Sequence, residues 1–190
     1  TNGFGLAEFE FGMKELGAPA STLTMLDEAY SIIVAPIDPN EKTGPAGYTD
    51  AHHDAVVEPG DFVSYSVYYE NDPEFASAAA QEVFVDDQLS ALLDWSTFEL
   101  TELVWGGYSV DIAPGTGSGA TFRETIDDWR PDESKLCYVD IEVDPDASGH
   151  LSVAFHTIDP DTGGLPEDVF AGFLPVNDDT GRGEGHFSFR

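Results

Sequence analysis

The chain has 190 residues with 41% apolar and 12% aromatic content, which is enough for a hydrophobic core and argues against global disorder. Its 37 acidic residues face only 7 basic ones, so the formal charge is −30 and nucleic acids and anionic membrane surfaces should repel it. No apolar run approaches the roughly 20 residues of a membrane-spanning helix. The single cysteine, Cys137, cannot form a disulfide within the chain.

The N-terminal part of the chain predicts a strand followed by a weakly patterned connection. Apolar and charged residues alternate between residues 7 and 14, which is typical of a strand with one buried face. Residues 21–29 fit a short helix or an irregular connection, and residues 31–37 fit a short apolar strand. We therefore expect residues 1–30 to pack, as a strand and a connection, on a domain that spans residues 31–190.

The stretch from residue 61 to residue 89 predicts two strands that organise this domain. Each strand alternates apolar and polar positions, so one row of side chains should face a core and the other should face water. The connection between the strands is rich in acids and alanine. The residues expected to face inward are Val63, Tyr65, Val67 and Tyr69 in the first strand, and Val83 and Val85 in the second.

The rest of the chain continues the pattern of short strands separated by glycine, proline and aspartate. Further strands are predicted at residues 94–103, 120–126, 136–143, 151–158 and 186–189, while helical periodicity is nearly absent. This pattern predicts an all-β fold, an immunoglobulin-like antiparallel β-sandwich. The loops that join its strands are long and acidic, and we expect bound ions to order them.

Clusters of oxygen-bearing side chains at strand ends suggest calcium binding. Calcium takes six to eight hard oxygen ligands from flexible loops of this composition, and bound cations would offset the repulsion expected at this net charge. Two alternatives stay open: these residues favour turns for local hydrogen-bonding reasons, and a high-salt medium would also screen the charge. The predicted Ca²⁺ ligands are Asp38, Asn40 and Glu41; Glu70, Asn71 and Asp72; and Asp159, Asp161, Glu167 and Asp168.

The tryptophans carry the main alternative function. Trp105 and Trp129 could stack on sugar rings if they are exposed, which would make the chain a carbohydrate-binding module. The ordinary role of such residues is packing in a core or under a loop. Known catalytic patterns such as a nucleophile elbow or a phosphate loop are not found in the sequence, so no catalytic residue is predicted.

An ordered set of short motifs resembles a known kind of domain over roughly residues 31–190. The set resembles the repeat-type β-sandwich domains, conserved-repeat or cadherin-like, of large secreted bacterial surface proteins. The motifs, in chain order, are DPNEK from Asp38, GPAG from Gly44, YENDP from Tyr69, VDDQL from Val85, GFLP from Gly172 and TGRGEG from Thr180.

The resemblance implies an extracellular or cell-surface setting and a non-enzymatic, structural or adhesive role in an adhesin, stalk or fibre. Members of this kind continue for one or two strands beyond the equivalent of Phe187–Phe189, so the domain is expected to lack its final strands. Either the N-terminal strand closes the sheet, or an open edge remains there. An open edge invites a strand from a neighbouring module or subunit, while membrane insertion and nucleic-acid binding are not expected.

Overall fold

The chain divides into two compact units, Thr1–Ala35 and Pro36–Arg190. The division falls close to the predicted boundary after residue 30, and the predicted packing of the first segment on the domain stays a prediction. The computed structural model describes residues 8–12, 25–30, 41–45, 57–127 and 135–190. The strands are β1 Glu8–Gly12, β2 Met25–Tyr30, β3 Glu41–Thr43, β4 Tyr65–Glu70, β5 Glu82–Gln88, β6 Leu100–Trp105, β7 Tyr108–Ser109, β8 Ala120–Asp127, β9 Leu136–Pro145, β10 His150–Ile158 and β11 Glu184–Phe189.

The first unit contains an antiparallel pair of strands, β1 and β2. The strand predicted between residues 7 and 14 is confirmed by β1. The short helix or irregular connection predicted for residues 21–29 is wrong, because Met25–Tyr30 pairs with β1 as a strand. Pairing with a neighbouring strand outweighs the weak local preference of such a segment. The strand predicted at residues 31–37 lies outside the described residues.

The second unit is a β-sandwich of two antiparallel sheets, as predicted. One sheet has the strand order β5-β10-β9-β8 and the other has the order β3-β4-β11-β6-β7. Strands β4 and β5 follow each other along the chain but belong to different sheets, so the acid-rich connection between them crosses from one layer to the other. In the part of the chain that the structure describes, the only helical element is the 3₁₀ turn Trp95–Thr97.

The core lies between the inner faces of the two sheets. Alternation along β9 and β10 buries every second side chain, which is the result predicted from the period of two. Facing them, the inner side of the second sheet contributes large aromatic residues. The innermost side chains include Val139, Ile141, Val143, Leu151, Val153 and Phe155 from the first sheet and Leu103, Trp105 and Phe187 from the second, each at most 1% exposed.

The final strand β11 lies inside its sheet and not at an edge. It pairs with β4 on one side, from Glu184 opposite Glu70 to Phe189 opposite Tyr65. On the other side it pairs with β6. Of the two alternatives given for this strand, an open edge at Phe187–Phe189 is therefore wrong. Among the described strands, the outer positions of the four-stranded sheet belong to β5 and β8 instead.

An ion pair joins the two sheets between Lys42 of β3 and Asp87 of β5. Lys42 stands opposite the buried Val67, so its side chain shares the inner face of the sheet. Its ammonium nitrogen also lies 4.6 Å from the centroid of the Tyr65 ring. Because β3 and β5 each end the order of their sheet, this pair links the two layers along one side of the sandwich.

No helix in the described ranges is long and apolar enough to cross a bilayer.

Candidate functional site

The first predicted calcium group is described only at its last member. Asp38 and Asn40 lie outside the described residues. Glu41 begins β3 and is exposed to solvent, so one of the three predicted oxygen ligands stands at the surface at the start of an edge strand.

The second predicted group, Glu70–Asp72, is built into the fold. Asn71 is only 2% exposed, and its side-chain amide donates hydrogen bonds to the carbonyl oxygens of Ala78 and Leu174, each 3.0 Å away. Asp72 accepts a hydrogen bond of 2.8 Å from the backbone of Glu74, which is the geometry of an Asx turn. Asn71 therefore links the connection between β4 and β5, which contains Ala78, to the loop between β10 and β11, which contains Leu174.

The neighbouring Glu70 is engaged across the sheet. The side-chain amide of Asn177 donates to Oε1 of Glu70 at 3.1 Å and to Oε1 of Glu184 at 2.9 Å. Glu70 and Glu184 stand directly opposite each other in the β4–β11 ladder, where two like charges repel. The amide of Asn177 offsets that repulsion by sharing its two N–H groups between them.

The third predicted group, Asp159 to Asp168, forms turns of the long loop after β10. Asp159 accepts from the backbone of Asp161 at 2.8 Å, and Asp168 accepts from the backbone of Phe170 at 3.0 Å. Asp161 and Glu167 are exposed. The turn-forming role weighed in the sequence analysis is thus visible at several of the predicted ligands.

The described members of these three groups do not form a converging cluster. Within the ranges that the structure describes, no three His, Cys, Asp or Glu side chains are grouped so as to hold a metal ion. Calcium also binds backbone carbonyl and amide oxygens, and calcium binding stays a prediction.

Of the two tryptophans proposed for sugar stacking, Trp105 is in the core. It is 0% exposed, and its ring contacts Tyr108 in a stacked arrangement and Phe155 and Phe173 edge-on. The alternative in which Trp105 stacks on a sugar ring is therefore wrong, and the packing role weighed beside it is confirmed, since its position on the inner face of β6 places it between the sheets. Trp129 lies outside the described residues.

The described residues form a cleft at one end of the sandwich. The ends of several strands meet there: the approach to β4, the segment after β5, the approach to β6 and the end of β11. The cleft encloses about 300 Å³, near the lower limit of small-molecule sites. We call it the end cleft; its lining includes Asp61, Phe62, Tyr65, Leu92, Asp94, Trp95, Phe98, Phe189 and Arg190.

The walls of the end cleft are fixed by packing. Trp95 donates from its indole nitrogen to the carbonyl oxygen of Ser90 at 3.0 Å. Its ring also lies against Gly149, where an added Cβ would be only 2.4 Å from ring carbons and where φ is +79°. Phe98 and Phe189 contact each other with ring centroids 5.4 Å apart. The cleft is thus preorganised, because its aromatic side chains are held in place by neighbouring groups.

The mouth of the end cleft combines exposed apolar side chains with negative charge. Phe62 is 63% exposed and Leu92 is 95% exposed. Asp61 and Asp94 add two carboxylates. The hydroxyl and backbone N–H of Ser96 lower the pKa of Asp94 by hydrogen bonding, which favours its charged form.

Two cations of the chain lie on aromatic rings of this cleft. The guanidinium carbon of Arg190 is 5.1 Å from the centroid of Phe62, and Lys42 lies over Tyr65. Arg190 is also paired with Glu99 at 2.7 Å, so its charge is balanced within the chain. Hydrogen bonds from the backbone of Gly115 and from Arg190 lower the pKa of Glu99.

Sequence reasoning missed the end cleft because four distant segments build it. The one local signal was Leu92 and Leu93, a pair of apolar residues in a polar connection without strand periodicity.

Comparison of the chain with family models, with curated proteins and with solved structures finds no match.

Proposed function

We propose that this chain is a non-enzymatic structural module, an extracellular β-sandwich that forms part of a surface adhesin, stalk or fibre. The observation that best supports this proposal is the set of hydrogen bonds that anchors the long loop after β10. Gln81 donates to the carbonyl oxygens of Pro166 and Asp168 at 3.1 and 2.9 Å, and the buried Thr157 accepts from the backbone of Phe173 at 3.1 Å. These bonds use interior polar groups to fasten a loop, as a rigid building block requires.

The electrostatics of the carboxyl groups support the same proposal. A general acid needs a pKa raised by burial or by a like charge. The pKa of five described carboxyl groups is lowered instead, and hydrogen-bond donors are the largest cause in each. These groups are Asp94, Glu99, Asp140, Asp146 and Asp178.

Assembly with neighbouring modules would use the outer strands. β5 and β8 end the order of the four-stranded sheet, and an outer strand can accept a strand from another chain. On β5 the outward side chains include Glu82 and Asp86, which lie close to the histidines of β10. Strand addition between two copies would bring acidic edges together, so it should need calcium or high salt to reduce the repulsion.

Sedimentation velocity tests this proposal over a series of protein concentrations, in low salt with chelator, with added Ca²⁺, and in high salt. We expect a monomer with chelator and concentration-dependent larger species when either cation condition reduces the repulsion. A proline at Phe84 of β5 should prevent the association, because it disrupts an edge ladder, whereas proline at the loop residue Glu167 should not. A strict monomer under all conditions would contradict assembly through these edges.

Carbohydrate binding is the alternative for the same kind of module. Trp95 lines the end cleft, so it replaces the buried Trp105 as the candidate for stacking on a sugar ring. A glycan array would support this alternative if binding fell with Trp95→Ala.

A further inference from the structure

The end cleft points to a kind of partner through the combination of its shape and its charge. Its floor is aromatic, its mouth exposes Phe62 and Leu92, and Asp61 and Asp94 stand beside it. Large exposed apolar side chains next to one another mark interaction sites on soluble proteins. A volume of about 300 Å³ suits one or two side chains of a partner better than a large cofactor.

The charge of the molecule decides which partner can approach. At a formal charge of −30, long-range attraction favours cations and disfavours a second copy of this chain. Locally, the two carboxylates of the lining outnumber its one cation, Arg190, which Glu99 neutralises. A partner that approaches the cleft therefore meets negative charge at long range, from the molecule as a whole, and at short range, from the lining of the cleft.

The aromatic rings of the cleft accept cations in the folded chain itself. Arg190 lies over Phe62 at 5.1 Å and Lys42 lies over Tyr65 at 4.6 Å, within the range of a cation–π contact. Only seven side chains are Lys or Arg, and two of them lie on rings that line this cleft. The faces of these two rings, which carry the negative end of the quadrupole, thus attract cations in this environment and are occupied by cations of the chain itself.

We propose that the end cleft binds a cationic peptide segment of a partner protein, with one apolar side chain in the cleft and a flanking lysine or arginine beside Asp61 and Asp94. The apolar side chain provides the burial, while the flanking charge provides attraction and orientation. This inference goes beyond the structural role and does not depend on calcium or on edge-to-edge assembly.

The test uses NMR titration of the full ¹⁵N-labelled chain with a short capped peptide that carries phenylalanine between two lysines. We expect shifts at the end cleft that saturate and that weaken as salt is added. Two matched peptides control the chemistry: one has glutamates in place of the lysines, and one has alanine in place of the phenylalanine. Both should bind about tenfold more weakly or not at all.

Matched protein variants locate the binding. Phe62→Ser should weaken binding about tenfold, whereas Phe84→Ser, which removes a similarly exposed ring (56%) from the outer face of β5, should leave it unchanged. The pair Asp61→Asn with Asp94→Asn should weaken binding more than Glu142→Gln with Asp144→Asn, which changes the net charge equally. Asn at position 94 keeps the capping acceptor, so the fold of the turn should persist.

Several outcomes would overturn the proposal. Equal losses from both charge pairs would show that only the overall charge attracts the peptide. Equal binding of the glutamate peptide, or no shift at the cleft, would exclude a cationic segment. Shifts at the cleft that follow protein concentration without peptide would assign it to a second copy of this chain. Sedimentation is a separate measurement, so failure here leaves the structural role to be judged on its own test.

Discussion

Asn71 shows how the contacts of a single side chain reveal a role that its sequence neighbours do not predict. Its neighbours Glu70 and Asp72 made it look like a calcium ligand. In the fold it is nearly fully buried, and its amide nitrogen faces two carbonyl oxygens, those of Ala78 and Leu174. Carbonyl oxygens can only accept hydrogen bonds, so the group that faces them has to be a donor.

We expect substitutions of Asn71 to follow this role as a donor. Asn71→Ala should lower the free energy of unfolding by about 2 kcal/mol, because two buried carbonyls lose a partner. Asn71→Asp should lower it by about 3–5 kcal/mol at neutral pH, because a buried carboxylate would face two acceptors. Urea unfolding with and without Ca²⁺ measures both. As the control, Asp72→Asn keeps the turn acceptor and should change little.

A calcium ligand would behave in the opposite way. If Asn71 coordinated calcium through its side chain, the added negative charge of Asn71→Asp would increase the stabilisation by Ca²⁺. That result would contradict the donor role.

Asp178 is a residue whose charged form is strongly favoured by its surroundings. Hydrogen bonds from Arg182, then from the hydroxyl and the backbone of Thr180, lower its pKa from 3.8 to about 2. A lowered carboxyl pKa contributes stability above pH 3.8, and the contribution is lost as the pH falls through 2. Because the group is solvent-exposed, the effect on its pKa is a better observable than the effect on stability.

Arg182→Gln should therefore raise the pKa of Asp178 toward 3.8. Titration of the carboxyl carbon by NMR measures this pKa directly. Asp146 serves as an internal control, because its pKa is lowered by Ser148 and by the backbone and not by Arg182. If the pKa of Asp178 stayed near 2 in the variant, Thr180 and the backbone would be sufficient to explain it.

At the scale of elements, the last strand is the most informative. β11 enters the sheet between β4 and β6, and its inward positions begin with Gly185, opposite Tyr69. A Cβ at Gly185 would lie 2.3–2.5 Å from the ring and hydroxyl of Tyr69. The glycine leaves room for the tyrosine ring of the neighbouring strand to cover the backbone, an arrangement that protects a glycine within a sheet.

Gly185→Ala should lower the free energy of unfolding by about 3 kcal/mol for this reason, and thermal unfolding followed by circular dichroism measures the loss. Adding Tyr69→Leu removes the ring that the methyl group would meet. The double variant should be more stable than the sum of the two single effects predicts, since the residues are in contact. Strict additivity would mean that the glycine is required for another reason.

The alternation of apolar and polar residues predicted the strands correctly where it continues regularly over many residues. β9 and β10 were foreseen with their buried faces, since the period of two depends only on neighbouring residues. The position of β11 was not foreseen, because it depends on pairing with strands far away in the sequence. The end cleft was missed for the same reason, and the weak pattern of Met25–Tyr30 was read without its pairing partner β1.

At the scale of the whole molecule, the question is how a sandwich with a formal charge of −30 stays compact. The described ion pairs with lysine and arginine are few, and many of the described carboxylates accept hydrogen bonds from nearby donors instead. Hydrogen bonds favour the charged form of each carboxylate but do not reduce the repulsion between distant ones. Cations from solution have to supply that part, either as bound ions or as a screening atmosphere.

Thermal unfolding can separate these two contributions. Starting from chelated protein in low salt, we expect Ca²⁺ to raise Tm by about 5 °C or more above the value in NaCl of the same ionic strength. Binding to the folded state alone adds stability that grows with ligand concentration, whereas screening depends only on ionic strength. Equal Tm values in the two salts would contradict calcium binding and would leave screening as the mechanism.

A pair of variants makes this measurement specific to the first predicted calcium group. Asp38→Asn with Glu41→Gln removes two carboxylates from the first predicted calcium group, and Glu142→Gln with Asp144→Asn removes two from β9. Both pairs reduce the repulsion equally, so both should raise Tm in low salt without calcium. If the first group binds calcium, the Asp38 and Glu41 variant should no longer show the additional rise in Tm with Ca²⁺, whereas the Glu142 and Asp144 variant should keep it. In the first variant the loss of calcium ligands lowers Tm, while the loss of negative charge raises it.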